Sequence, residues 1–536
     1  MTEPATQQPS QSQSSEGAVS AAGLKRIFRT KPPSQLVDEV NEPHRLMKKS
    51  LTWFDLVTFG VGATIGAGIF ALTGTAAAGQ AALASTPPWW ETPIINFVLN
   101  GPLGREGAGP ALVISFIIAA ITCGFTAMCY AELAAMIPVS GSAYTFAYAS
   151  LGEVIAWIIG WDLILEYAVG NVTIAVSWSD YFLQFWHNAV GLKIPLWLAT
   201  DPSTAAVKQH LSANDPLREL YSSMDLPTLF GHHIAFNLPA CAIVAVVTWL
   251  LVVGVSESAK VNTWMVFIKT AIVLFFIGYG ATLVHPQNWV PFAPTGFAGI
   301  MGGAAIVFFA FIGFDAVSST AEEAKNPQRD MPIGMIGSLV IATALYIAVS
   351  LVLTGILPYK NYLNDAAPVA TALGGHKWAQ ILVSAGALAG MTSVLLVFQL
   401  GQPRIFMAMS RDKLLPKFFG DLHPKYRTPF IPTILTGVFV ALCSLFIDIG
   451  QAAELCNIGT LSAFILVCGG VIVLRRTHPQ QHRPFRCPGA PWLPGLGIAS
   501  CLCLMFSLPV ITWVRFVVWM GAGMLIYVFY GLRNNK

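Results

Sequence analysis

Apolar residues dominate this chain in twelve runs, most of which match the roughly 20 residues that an α-helix needs to cross a bilayer. The pattern predicts an all-α polytopic membrane protein with 12 transmembrane helices. The third run is longer than one straight span needs, which indicates a tilted helix or one that extends past the bilayer. The predicted spans are 52–79, 111–137, 153–186, 236–254, 259–284, 299–322, 333–357, 377–408, 431–448, 452–474, 492–512 and 514–532.

The first run is rich in glycine between Phe59 and Gly74, where the sequence reads F-G-V-G-A-T-I-G-A-G-I-F-A-L-T-G. Each glycine inside a helix costs about 1 kcal/mol relative to alanine. In lipid, a loosened backbone is tolerated only where it faces protein or a watery cavity. The stretch therefore predicts either a broken helix with free main-chain groups or close packing of straight helices through small residues.

The sixth run repeats this feature, because Gly313 and Asp315 interrupt it between bulky aromatic residues. Two interrupted helices five spans apart favour broken helices over simple packing, and they predict a five-plus-five inverted repeat with a site at the midplane. The repeats would cover 51–285 and 286–474, two additional helices would occupy 475–536, and 1–50 would precede the membrane domain.

The breaks suggest how a small zwitterion would bind. Amide groups near Ile65–Gly68 would face a carboxylate, helped by the partial positive charge at the start of a half-helix. Carbonyl groups freed at both breaks would accept hydrogen bonds from an ammonium group. No charged side chain is needed for either contact.

Lys269 lies about eleven residues into the fifth run, roughly 16 Å along a helix and near the middle of the bilayer. A lysine there costs roughly 2.5–3.5 kcal/mol on insertion scales. An amine in this place is either a group that binds and releases a proton during transport or a structural lysine that donates to carbonyls of a broken helix. Charged, it would also occupy the place of a sodium ion.

Acidic residues are harder to assign. Glu166 lies deep in the third run, and Asp315 follows the break in the sixth. Each would either face a cavity or gate, or form a satisfied structural hydrogen bond.

Composition supports the membrane class. Only 11% of the residues are charged and the mean hydropathy is +0.63, whereas a soluble protein carries about 25% charge. Nucleic-acid binding is not suggested by the net charge of +3.

Eight of the nine cysteines lie in apolar segments, which is typical of packing residues and not of a disulfide framework. His478, His482 and Cys487 lack the second thiol pair of a zinc site.

Lysine and arginine set the orientation. With the N-terminus inside, 22 of these residues face the cytoplasm and seven face outward. This asymmetry predicts a multi-pass protein of the inner or plasma membrane with both termini cytoplasmic. Residues 1–50 hold no signal-peptide core; their first part is polar and predicted to be disordered, and Leu24–Val40 has the pattern of an interfacial helix.

Several longer motifs resemble one known family. The stretches G-S-A-Y-T-F-A-Y, F-F-A-F-I-G-F-D-A-V-S-S-T-A-E-E-A-K-N-P, G-Q-P-R-I-F-M-A-M-S-R-D-K-L-L-P and N-I-G-T-L-S-A-F, with the glycine-rich stretch above, are similar to the cationic amino acid transporter group of the amino acid–polyamine–organocation superfamily. The resemblance runs from about residue 24 to the end of the chain.

This resemblance implies a LeuT-like fold and alternating-access transport of amino acids, with no catalytic residues and no metal or other cofactor beyond protons. Bacterial members similar to this chain carry a lysine at the position of Lys269 that is associated with proton coupling. Proton-coupled uptake is therefore expected, while an exchanger, a transporter-like nutrient sensor and a small accessory membrane subunit are left open. The implied substrate contacts are Ala63, Thr64, Ile65, Gly66, Ala67, Gly68, Phe309, Ile312, Gly313 and Met391.

Met391 departs from the family pattern, because animal cationic carriers have small polar residues in this part of span eight. A bulky apolar side chain at the base of the pocket shortens the space for an arginine side chain. Neutral L-amino acids are therefore favoured as substrates, and cationic amino acids are left open.

Substitution Met391→Ser tests this interpretation. The smaller side chain is expected to enlarge the pocket and to raise arginine uptake, measured as competition by arginine against a labelled neutral amino acid. Equal competition in the two forms would show that Met391 does not set the specificity.

Overall fold

The computed structural model of the protein describes residues 30–32, 49–80, 88–99, 104–139, 142–210, 216–229, 232–253, 259–363, 365–426 and 428–532. Most of the predicted interfacial helix lies outside these residues. Within them the chain is almost entirely helical, apart from a short antiparallel hairpin in which Thr228 pairs with His233.

The helices of the first half begin with the interrupted first span. They are α1 (Trp53–Thr64), α2 (Ala67–Phe70), α3 (Leu72–Ala78), α4 (Ile94–Leu99), α5 (Leu112–Met136), α6 (Ser142–Ser150), α7 (Glu153–Ile164), α8 (Gly170–Val190), α9 (Leu196–Ala199), α10 (Pro202–Lys208), α11 (Leu238–Val253) and α12 (Ala259–Ala281), with β1 (Thr228–Leu229) and β2 (His232–His233) between α10 and α11.

The second half contains the longest uninterrupted helices of the chain. Its helices are α13 (Gly296–Val307), α14 (Pro327–Ile356), α15 (Pro368–Ala372), α16 (Lys377–Arg411), α17 (Phe430–Phe446), α18 (Ile449–Thr477), α19 (Trp492–Phe506) and α20 (Val510–Ile526). Short 3₁₀ helices occupy Trp89–Glu91, Gly109–Ala111, Pro216–Leu220, Pro286–Trp289, Phe308–Phe311, Asp315–Glu323, Tyr359–Tyr362 and Lys417–Gly420, and π-helical turns occupy Leu165–Val169 and Tyr527–Gly531.

Eight helical stretches among the described residues are long and apolar enough to cross a membrane. Three shorter apolar helices, α11, α17 and α19, and the interrupted α1–α3 segment coincide with the remaining predicted runs. The structure thus shows a multi-pass helical membrane protein, and the count of twelve spans and the inverted repeat stay predictions. The long third run is one stretch of 38 residues, Glu153–Val190, with a π-helical turn inside it.

Apolar side chains lie both inside the bundle and on its outside. Most of the spans share one continuous buried core, whereas large side chains such as Val517, Val518 and Phe529 on and after α20 are more than half exposed. An apolar exterior of this kind is expected where lipid tails replace water as the solvent.

A capping box starts the first helix. The Thr52 main-chain N–H donates to a carboxylate oxygen of Asp55 at 2.8 Å, and the Thr52 hydroxyl accepts from the Asp55 N–H at 3.4 Å. These reciprocal bonds satisfy two of the donors that a helix start leaves open.

The described part of the segment between α8 and α11 contributes to a small separate apolar cluster, which includes Leu196 and Leu226. Lys208 anchors it, because its ammonium group lies 3.2 Å from the carboxylate of Asp180 in α8 and 2.8 Å from the hydroxyl of Tyr221. The pKa of Lys208 is raised: burial lowers it, but the Asp180 charge and the Tyr221 hydroxyl outweigh that effect.

Asp365 lies between α14 and α16 and is 2% exposed. Burial raises the pKa of Asp365 to about 6. The hydrogen bond that its carboxylate accepts from the Ala367 N–H at 2.8 Å lowers the pKa, but by less than burial raises it. The folded state therefore holds this proton more tightly than the unfolded state, so ionisation of Asp365 weakens the fold as pH rises from about 4 to about 6.

We expect Asp365→Asn to stabilise the protein increasingly over that range. The difference in melting temperature between variant and parent, measured in detergent, should grow as pH rises to 6 and stay constant above it, because asparagine does not titrate. Asp225→Asn, at an exposed position, serves as the control. A difference that is independent of pH would contradict the assignment.

Candidate functional site

The first span is broken at Ile65 and Gly66, where the backbone leaves helical geometry (φ −75°, ψ 96° and φ −154°, ψ −141°). No helical turn covers these two residues. The N–H groups of Ala67 and Gly68, at the start of α2, therefore have no carbonyl one turn before them, and the Gly66 cap offers no side chain.

The sixth span is broken one helical turn after α13. A 3₁₀ turn at Phe308–Phe311 leads to Ile312 in extended geometry, and Gly313 follows with φ +113°. A carboxylate oxygen of Asp315 accepts a hydrogen bond from the Gly313 N–H at 3.2 Å. Both breaks predicted from the glycine pattern are thus confirmed.

The two breaks touch each other through their backbones. A Cβ atom added at Gly68 would lie 2.3 Å from the Ala310 Cα, and one added at Gly313 would lie 2.9 Å from the carbonyl oxygen of Ala63. Only glycine allows the chains to approach this closely, so these positions fix the contact between the two broken helices.

Tyr346 of α14 connects the breaks by a hydrogen bond. Its hydroxyl group lies 2.9 Å from the carbonyl oxygen of Thr64 and 2.8 Å from that of Ala310. The ring is fully buried and packs against Phe116 and Phe311. One side chain therefore serves carbonyls that both interrupted helices have released.

Two further side chains donate hydrogen bonds to main-chain carbonyl groups near the breaks. The Tyr181 hydroxyl donates to the Phe70 carbonyl at the end of α2 at 2.7 Å. The Asn457 amide donates to the Ala305 carbonyl at 2.7 Å and to the Ile306 carbonyl at 3.3 Å, just before the second break. Tyr181, Asn457 and Tyr346 are not among the predicted site residues, although each is a polar side chain inside an apolar run.

Lys269 of α12 reaches the first break. Its side chain is fully buried, and its ammonium group donates a hydrogen bond to the carbonyl of Gly62 in the last turn of α1. Gly390 of α16 packs beside it, because a Cβ there would lie 3.1 Å from the Lys269 Cβ. The structure thus shows the contact with a broken-helix carbonyl that the sequence left open as the structural role of this lysine.

Glu166 and Asp315 are brought together. Glu166 lies in the π-helical turn of the third span, and its carboxyl group interacts with that of Asp315 beside the second break. Both groups are buried, and Glu166 Oε2 and Asp315 Oδ2 have no hydrogen-bond partner in the part of the chain that the structure describes.

Met391 is buried in α16, where its sulfur accepts a hydrogen bond from the Ser177 hydroxyl of α8 at 3.1 Å. Val394 of α16 contacts the first break. A Cβ atom added at Gly66 would lie 3.1 Å from the Val394 Cγ2. The structure therefore places an apolar α16 surface beside the break, one helical turn from the predicted residue.

The predicted contact residues all lie in or next to the two breaks, apart from Met391. Ala63 and Thr64 end α1, Ile65 and Gly66 form its break, and Ala67 and Gly68 begin α2. Phe309, Ile312 and Gly313 lie in the second break and are buried.

Comparison with known proteins identifies several similar chains. A family model described as amino acid permease matches residues 51–531. The chain is 43% identical over 512 residues to the branched-chain amino acid permease BcaP of Bacillus subtilis, with 95% of this chain and 98% of that protein covered. It is 40% identical over 514 residues to the methylthioribose transporter of the same organism, with 96% and 99% covered. The vacuolar cationic amino acid transporter 4 of Arabidopsis thaliana is 38% identical over 446 residues, with 82% and 65% covered.

Tyr346→Phe is expected to loosen the breaks without unfolding the protein. Loss of one buried hydroxyl that serves carbonyls costs about 1–3 kcal/mol of stability, and the Phe ring keeps the aromatic packing. Amide hydrogen exchange at Ile69 and Phe70, whose N–H groups donate to the Gly66 carbonyl at 3.2 Å, should accelerate about tenfold when measured by mass spectrometry.

Tyr362→Phe is the matched control, because its hydroxyl also donates to a buried carbonyl, that of Leu353 at 2.7 Å, but away from the breaks. It should lower the melting temperature similarly and leave exchange at the first break unchanged. Equal acceleration in both variants would show that Tyr346 has no special role at the breaks.

Proposed function

This chain belongs to the amino acid permease family, whose members are transporters and not enzymes, and on this premise we propose proton-coupled uptake of neutral L-amino acids by alternating access. The observation that carries the proposal is the contact of two broken helices whose main-chain groups face each other inside the bundle. A small zwitterion needs both a donor and an acceptor surface, and breaks of this kind supply the two within a few ångströms.

The architecture we propose has twelve spans, with two inverted repeats at 51–285 and 286–474 and two additional helices after them. Its support is the matching position of the breaks, each in the first span of its repeat. The lysine and arginine asymmetry of 22 to seven supports cytoplasmic termini in the plasma or inner membrane.

In this proposal the substrate carboxylate binds the free N–H groups of Ala67 and Gly68, and its ammonium group binds carbonyls at Ala63 and in the second break. The Gly68–Ala310 contact closes the space between the breaks in this structure. Binding therefore requires the two broken helices to separate, and a substrate between them would replace that direct contact with hydrogen bonds to both. This provides a physical link between occupancy and conformational change.

Lys269 is the proposed proton-responsive group. Its protonated ammonium group donates to the Gly62 carbonyl, and a charged donor binds a carbonyl more strongly than a neutral one. Loss of the proton would weaken the hydrogen bond between Lys269 of α12 and the Gly62 carbonyl at the end of α1. The first break would then move more easily relative to α12. The neighbouring Glu166 and Asp315 carboxyl groups would offer a second place, beside the other break, where a proton could bind.

The substrate preference follows from the apolar α16 surface. Val394 meets the first break and Met391 is buried nearby, and neither offers a partner for a cationic side chain. The relative named a branched-chain amino acid permease covers nearly the whole chain, which supports aliphatic amino acids. Relatives named cationic amino acid transporters make arginine and lysine the necessary comparison.

The deciding experiment is uptake into proteoliposomes with a panel of labelled compounds, with and without an inward proton gradient. We expect leucine, isoleucine or valine to accumulate only with the gradient. The panel includes methylthioribose, because a relative 40% identical carries that name. Counterflow without a gradient identifies an exchanger, and binding without any flux identifies a sensor; either result overturns proton-coupled uptake.

Lys269→Met is expected to abolish proton-driven accumulation while counterflow and folding are largely retained. The methionine fills a similar apolar volume but neither binds a proton nor donates to the Gly62 carbonyl. Lys269→Arg is the matched variant, because it keeps a donor that does not release its proton in this pH range. Unchanged proton-driven accumulation in Lys269→Met would remove Lys269 from the mechanism.

A further inference from the structure

A buried ion cluster holds the loop between α18 and α19 against the end of α5. The carboxylate of Glu132, in the last turn of α5, is 2.5 Å and 3.0 Å from two nitrogens of Arg475 in α18. It also lies 3.2 Å from Nε of Arg483 and accepts a hydrogen bond from the Cys487 N–H at 2.8 Å. Three parts of the chain therefore meet at one carboxylate that is 1% exposed as a residue.

Cys487 is fixed by its main chain in this cluster. Its N–H donates to Glu132, and its carbonyl oxygen accepts from Arg475 at 2.9 Å. These bonds point its side chain toward α5, where the Cys487 and Cys129 sulfurs are 4.0 Å apart. Cys129 also contacts Cys468 of α18, so three thiols from three segments lie side by side.

The position of Cys487 favours reaction over mere packing. The hydrogen bond with Cys129 lowers the pKa of the Cys487 thiol, the Arg475 charge lowers it further, and together they outweigh burial and Glu132. A thiolate is the reactive form of cysteine. Cys487 itself is 2% exposed, but Arg486 and Pro488 on either side are exposed, so a small loop movement brings the thiol to solvent.

The sulfur separation is close to what a disulfide needs. An S–S bond is about 2.05 Å long, so the two sulfurs must approach by about 2 Å. The loop that carries Cys487 begins after the last residue of α18, Thr477, and is held against α5 by the ion cluster described above and by the contact between the two thiols. Side-chain rotation together with a small shift of this loop supplies the movement.

We propose that Cys129 and Cys487 form a reversible disulfide in the presence of a low-molecular-weight disulfide such as oxidised glutathione, and that this bond stops transport. The Cys487 thiolate attacks one sulfur of the small disulfide, which forms a mixed disulfide and releases one thiolate. The Cys129 thiol then loses its proton to the released thiolate and attacks the Cys487 sulfur, which expels the second thiolate; this thiolate takes from water the proton that the Cys487 thiol gave up on ionisation. The protein dithiol is oxidised by two electrons, and the small disulfide is reduced to two thiols.

The bond would act on transport through α5. This helix packs against α13 and α14, which carry the second break and Tyr346, while the loop with Cys487 belongs to α18 and α19. A covalent link between them opposes any movement of the broken helices relative to α18. This part of the inference rests on the proposed alternating access. On the cytoplasmic side assigned above, the thiols stay reduced in ordinary conditions, so the link would form only under oxidising stress.

The test uses the full-length protein in proteoliposomes, treated with oxidised glutathione and then with dithiothreitol. Peptide mass spectrometry should find Cys129 linked to Cys487 after oxidation. Leucine uptake should fall at least tenfold and return on reduction. Cys129→Ser and Cys487→Ser should each keep uptake under oxidation, whereas Cys503→Ser, at an exposed cysteine on α19, should behave like the parent.

Three results would overturn the inference: absence of the linked peptide, a link that involves Cys468 instead, or inhibition that persists in Cys487→Ser. A linked peptide with unchanged uptake would also overturn it, because the bond would then not control transport. If the reduced parent takes up no amino acid, the proposed function fails while the peptide measurement still decides whether the disulfide forms. Cys487→Ala, which also lacks the thiol, checks that loss of inhibition is not an effect of the serine hydroxyl.

Discussion

The demand that main-chain polar groups be satisfied inside lipid governs this structure. A helix satisfies its own N–H and carbonyl groups, so each break releases several at a depth where water is scarce and an unpaired group costs several kcal/mol. The protein meets the demand with neighbouring side chains, of which Tyr346 is the central one, since its hydroxyl lies within hydrogen-bond distance of Thr64 and Ala310. The amides of Ala67 and Gly68 remain the unmatched donors of the first break.

The same demand explains where the buried charges lie. Lys269 donates to the Gly62 carbonyl that the interrupted α1 leaves exposed, and the Asp315 carboxylate accepts from the Gly313 N–H at the other break. These ionisable groups thus complete hydrogen bonds that a straight helix would make alone, and they place titratable groups at the two breaks that would move in the proposed mechanism. A substitution at either position changes both the hydrogen bond and the titratable group, which is why stability must be measured beside transport.

Much of this arrangement was predictable from sequence, for a physical reason. Spanning length and glycine content are local properties, so the apolar runs, the break at Ile65–Gly66 and the break at Gly313 could be located without a structure. Contacts between distant helices are not local. Tyr346, Asn457 and the Glu166–Asp315 contact depend on which helix faces which, and one sequence holds no record of that. The α16 residue at the first break depends on the same packing, because Val394, one turn from Met391, meets Gly66.

Two ion pairs join parts of the chain that are distant in sequence or element, and their burial differs. Lys31 and Asp412, 2.7 Å apart, keep side-chain exposures of 21% and 18%, and partly exposed pairs contribute only about 1 kcal/mol or less. Lys208 and Asp180 are 3% and 11% exposed, and removal of one partner of a buried pair costs about 3–5 kcal/mol. If transport proceeds by alternating access, any movement that separates one of these pairs meets unequal resistance, because the partly exposed Lys31–Asp412 pair opposes separation less than the buried Lys208–Asp180 pair does.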